Sequence, residues 1–115
     1  MLLHVDRRIE PVDRRVRVVH GGRVVAESSA ALVAIEPRWT AYYVPRADVL
    51  VALEATSTST VCGWKGTASY WSVDGTPDVG WSYDDPLPEA AALRDHVAFH
   101  PSRVDELWVG DERIT

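Results

Sequence analysis

The sequence predicts a mainly β domain: a compact β-sheet, tent-like or barrel-like, built of short antiparallel strands with one short helix near 88–95. Three observations lead there. "RRVRVVHGGRVVAES" and "GTASYWSVDGTPDVGWSYDDP" each set turn residues between two alternating runs, the signature of a hairpin. Those runs are rich in valine and aromatic residues, which suit a pleated surface. A single stretch, "LPEAAALRDH", has the composition of a helix.

In chain order, strands are expected near 15–20 and 23–28, with "HGG" as the turn, because glycine takes positive φ without steric cost. "AALVAIEP" predicts a strand near 31–36, ended by Pro37. "PRWTAYYVPRADV" reads as loop-like, bounded by Pro37 and Pro45, with Asp48 helping to cap a short turn. "VLVALEA" predicts a strand near 49–55, and "TSTST" an extended edge or a loop. In the second hairpin Ser69, Trp71 and Val73 alternate with Ala68, Tyr70 and Ser72. "DGTP" turns the chain, and 79–83 return. Pro88 suits the first helical position and Glu89 the positive end of the dipole. "VAFHP" and "VDELWVG" close the chain as short strands.

A chain of 115 residues is one domain, 1–115, with 1–13 as a loosely attached extension. A net charge of −5 argues against a broad nucleic-acid surface. The charge is uneven: six arginines fall in residues 1–23, and ten acidic residues in 74–115. That arginine cluster reads as a solvated edge strand, or as a surface for an anion or a partner. One cysteine makes neither an internal disulfide nor a four-cysteine zinc site. "MLLHVDRRIE" lacks the form of a signal peptide, and no apolar run reaches the roughly 18 residues that span a bilayer. A cytoplasmic protein without membrane contact is expected; self-association is left open.

Chemistry concentrates in "STVCGWKGTASYWSV". It holds the chain's one lysine, Lys65, and its one cysteine, Cys62, in a sequence with eleven arginines. An ammonium is compact and responds to burial, whereas a guanidinium stays charged. Gly63 and Gly66 flank it and allow close approach of a ligand. Cys62 is a small hydrophobe or, beside a cation and with His96 or His100 brought in by the fold as a base, a nucleophile. Trp81 and Tyr83 share a strand face, while Tyr70 and Trp71 point to opposite faces. The rings serve as core or as pocket walls. His96 and His100 stand four apart without the glutamate of a helical zinc motif, and Asp84–Asp85 reads as a turn before Pro86. Neither a metal site nor a phosphate loop is expected, and no cofactor.

"ESSAALVAIEP", "YYVPRADV", "TVCGWKGTASYW", "WSYDDPLPEAAAL" and "VAFHPSRVD" resemble the bacterial domain-of-unknown-function family 427, which also carries a nucleotidyltransferase-like label. The likeness runs from about Val16 to Trp108. It implies a compact β fold with a pocket or tunnel. On this chain the corresponding positions are Tyr43, Pro45 and Asp48, then Cys62, Lys65, Gly66, Tyr70 and Trp71, then Trp81 and Tyr83. Three functions follow as expectations. The first is a domain binding an anionic or polar small molecule through Lys65, with Tyr70, Trp71, Trp81 and Tyr83 as walls and Tyr43, Asp48 and Cys62 completing the site. The second is a group-transfer enzyme using Lys65 or Cys62. The third is a protein-interaction module that uses the arginine-rich first hairpin, with Arg14, Arg15 and Arg17, as an edge for a partner strand.

Overall fold

The computed structural model describes residues 7–115. Eleven antiparallel strands form two open sheets. The larger has seven strands in the order β1 (Arg8–Pro11), β4 (Leu32–Glu36), β5 (Trp39–Pro45), β9 (His96–Phe99), β8 (Thr76–Ser82), β7 (Gly66–Val73) and β6 (Glu54–Cys62). The smaller runs β11 (Glu112–Arg113), β10 (Glu106–Val109), β2 (Val16–His20) and β3 (Arg23–Ser28). Neither sheet closes into a barrel. Among the described residues no helix is long and apolar enough to cross a membrane.

Alternation explains the layers. On β5, Tyr42 and Val44 face the small sheet, and Ala41 and Tyr43 face the other way. Val97 and Phe99 of β9 join the first face and Ala98 the second. The first face meets Val16, Val18, Val25, Leu107 and Val109 of the small sheet in a valine-rich core. The central strands of the large sheet are therefore apolar on both faces. The sheet's second face is covered by Trp64 and by Ala90 and Leu93 of a 3-10 helix, Pro88–Leu93.

Both hairpins form where the turn residues stand. Gly21 and Gly22 take φ of 62° and 78°, and Asp74–Gly75 turns β7 into β8. Three expectations need correction. Residues 39–45 are a strand, not a loop: Pro37 and Arg38 turn the chain, and Glu36 pairs with Trp39. The alternating Trp39, Ala41 and Tyr43 carry the strand pattern. Residues 49–53 form no ladder. They make one bridge, Ala26 with Val49, while Val49, Val51 and Leu53 lie against the valine core. The helix expected over 88–95 is a 3-10 turn with non-helical φ/ψ at Ala90, and a second 3-10 turn spans Arg46–Asp48.

The expected N-terminal extension contributes β1, whose Arg8–Pro11 pair with Leu32–Ile35 of β4; residues 1–6 lie outside the described part. The arginine cluster spans outer and interior strands: Arg8 lies on β1 and Arg23 on β3, each an outer strand of its sheet. β2, which carries Arg17, lies between β10 and β3. Arg15 pairs with Glu27, and Arg17 stands over Trp108.

Candidate functional site

The second face of the large sheet carries the site. Glu36 follows Ala34 by two residues on β4, so its side chain points to the aromatic face rather than to the valine core. Just past the end of β9, His100 follows Ala98 by two and reaches the same side. Trp81 and Tyr83 share that face, as expected for their spacing, and Tyr70 sits opposite Trp81 across β7 and β8. Trp39 arrives from the start of β5 and packs 6.4 Å from Trp81. A cleft of about 140 Å³ lies among Trp39, Lys65, Tyr70, Trp81, Tyr83 and His100.

Lys65 projects from the turn between β6 and β7. The turn is held on both sides: Gly66 takes φ of 117°, which an L side chain rarely adopts, and the Lys65 carbonyl accepts from the Leu87 amide at 2.9 Å. The residue is 3% exposed. Its ammonium donates to Glu36 Oε2 at 2.8 Å and stands 5.0 Å from the Trp64 ring and 5.8 Å from that of Tyr83. The other carboxylate oxygen of Glu36 accepts from Trp64 Nε1 at 3.0 Å. Glu36 thus clamps two neighbouring residues of the turn at once. Burial pushes its carboxyl pKa up, but the hydrogen bonds from Lys65 and Trp64 outweigh that and hold it below the ordinary value. Outside Trp64, the Arg7 guanidinium lies 5.3 Å over the indole and is paired with Glu89.

Phenols and an imidazole add to the face. Tyr43 is fully buried beneath the cleft, and its hydroxyl accepts from Trp81 Nε1 at 3.3 Å. Burial raises the phenol pKa of Tyr43 and of Tyr83, so both stay protonated. His100 has its pKa lowered, first by burial and then by the charge of Arg103. Its Nδ1 shares a hydrogen bond with Ser102 at 2.9 Å. Tyr70 shares one with Thr60 at 3.0 Å.

The structure therefore brings together Lys65, Tyr70, Trp81 and Tyr83, with Tyr43 below them. Cys62 is half-buried and packs against the same aromatic cluster. Asp48 and Trp71 lie elsewhere. Asp48 accepts from Ser28 at 2.6 Å, beside the small sheet. Trp71 faces the valine core, donates to Ser82 and lies under Arg46. Sequence reasoning missed Glu36 and Trp39 as neighbours of Lys65, and offered His100 only as one of two histidines that the fold could bring near Cys62. Period-two spacing from Ala34 and Ala98 was the available signal for Glu36 and His100, but no pattern in the sequence sets β4 beside the turn that carries Lys65.

Among the described residues no group of three histidine, cysteine or acidic side chains converges as a metal site would require. No curated protein matches the chain. A family model described as a domain of unknown function (DUF427), with a nucleotidyltransferase-type label, matches residues 8–110, nearly the whole length. By that match, this chain belongs to the DUF427 family.

Proposed function

We propose that this domain binds a small polar molecule in the cleft between Trp39, Trp81 and Tyr83, with Lys65 supplying a hydrogen bond to it. The observation that carries this reading is a buried ammonium with unused donors at the wall of an aromatic hollow. An ammonium has three N–H donors. Lys65 uses one of them on Glu36. A ligand oxygen entering the cleft would take another, while the rings supply apolar contact. The volume supports a compact ligand, since a cavity of roughly 150 Å³ accepts a benzene ring. A whole nucleotide would lie mostly outside.

Group transfer at Lys65 or Cys62 has less support. The amine is tied to a carboxylate, and no hydrogen bond joins it to the thiol. The interaction-module reading retains β3 as the outer strand of the small sheet, although Arg17 lies on the interior β2. A bacterial, cytoplasmic setting belongs to the proposal, and the sequence resemblance supports its bacterial part.

The test is an amide chemical-shift titration of the ¹⁵N-labelled chain with single-ring amides, phenols and heterocycles. Millimolar affinity, about −4 kcal/mol, is expected for ligands of this size. Shifts should gather at residues 64–66, 81–83 and 98–100, and Lys65→Met should abolish them without unfolding the chain. Shifts confined to other surfaces, or shifts that persist in that variant, would end the reading.

A further inference from the structure

We propose that the cleft selects a neutral single-ring ligand bearing a carbonyl or amide oxygen, and discriminates against the carboxylate of the same shape. This rests on the binding reading above and names its ligand class.

The charge at the cleft wall is already balanced. Lys65 Nζ sits 2.8 Å from Glu36 Oε2. Glu36 cannot swing away without also giving up the Trp64 indole, which holds its other oxygen at 3.0 Å. The side chains of the pair are 4% and 23% exposed, so water screens them weakly. A ligand carboxylate at Lys65 would place two carboxylates on one ammonium and leave a net negative charge in a partly dry site. A carbonyl oxygen accepts the spare N–H with no net charge. Of the surrounding cations, Arg7 acts on Glu36 at a distance and more weakly than Lys65 does. Arg7 is closed on Glu89 through two hydrogen bonds of 2.7 and 2.8 Å. Arg103, at the His100 end, is exposed and donates to the Pro77 carbonyl. The phenols of Tyr43 and Tyr83 are neutral donors.

The experiment compares benzamide with benzoate, which share size and shape and differ in charge, by amide-shift titration of the full chain near neutral pH. The expected result is a Kd for benzamide at least tenfold below that for benzoate, with shifts around Lys65 and Trp81. In Glu36→Gln the ammonium loses its counter-charge, and the preference should reverse toward benzoate. Nicotinamide and nicotinate repeat the comparison on the wild-type chain, so a variant that failed to fold would not remove the test. Equal or tighter binding of benzoate at the cleft of the wild-type chain would overturn the proposal and leave the binding reading standing. Binding of neither compound there would overturn both.

Discussion

Glu36 and Lys65 allow a quantitative test of whether the aromatic face is as dry as its geometry indicates. Glu36→Gln keeps the size of the side chain and an acceptor for Trp64, but removes the charge facing an ammonium that is 3% exposed. Breaking one side of a fully buried pair costs about 3–5 kcal/mol. Glu36 itself reaches water, with 23% of its side chain exposed, so a loss of about 2–3 kcal/mol is expected after solvent screening. With an unfolding entropy of about 2.1 cal/mol/K per residue, that loss lowers Tm by roughly 8–12 °C in a chain of this length. Lys65→Met should cost less, because the methylene stem stays packed and the carboxylate left behind can hydrate. The double variant should be about 2–3 kcal/mol more stable than the sum of the single losses, since it leaves no unpaired charge. Thermal melts followed by tryptophan fluorescence measure all four chains. The acid limb gives an independent reading. Glu36 has its folded pKa below its ordinary value of 4.5, so its contribution is complete above 4.5 and fades as pH falls through the folded value. Between about pH 5 and pH 3 the wild-type Tm should fall further than that of Glu36→Gln. A Tm change below about 2 °C for Glu36→Gln, with additive single losses, would show that water already reaches the pair and would refute the reasoning.

Two further outcomes follow from the same face. The imidazole of His100 should titrate with an NMR midpoint below its ordinary 6.5, and Arg103→Gln should move it upward by less than opening the cleft with Trp39→Ala, because burial is the larger cause. The unfolded chain then takes the proton first, so His100 withdraws stability as pH falls through 6.5 and has no such effect above; a midpoint at or above 6.5 would mean a hydrated cleft. Gly66→Ala should lose about 1–3 kcal/mol, since φ is 117° and the added Cβ would stand 3.4 Å from the Asp85 carbonyl; an unchanged Tm would show that the Lys65 turn is not held as described.

The hairpins, the antiparallel class and the shared face of Trp81 and Tyr83 were legible in the sequence. They depend on contacts between near neighbours: turn residues that accept positive φ, and a side-chain direction that repeats every two residues. The same local rule failed at 39–45, where two prolines outweighed a clear alternation, and at 49–53, where apolar alternation marked packing without a ladder. The surroundings of Lys65 were beyond any local rule. Its carboxylate partner is 29 residues away, on a strand four places removed in the sheet order from the strand that begins at Gly66. Asp48 and Trp71 illustrate the reverse: near Tyr43 and Tyr70 in the chain, they sit on the far side of the sheet. The amino-acid order alone determined two of the hairpins, β2–β3 and β7–β8, and which residues of a strand share a face. Only the tertiary structure decided which face the lone ammonium meets and which charge stands against it, because sheet order and layer packing come from contacts between distant segments that no short window of sequence contains.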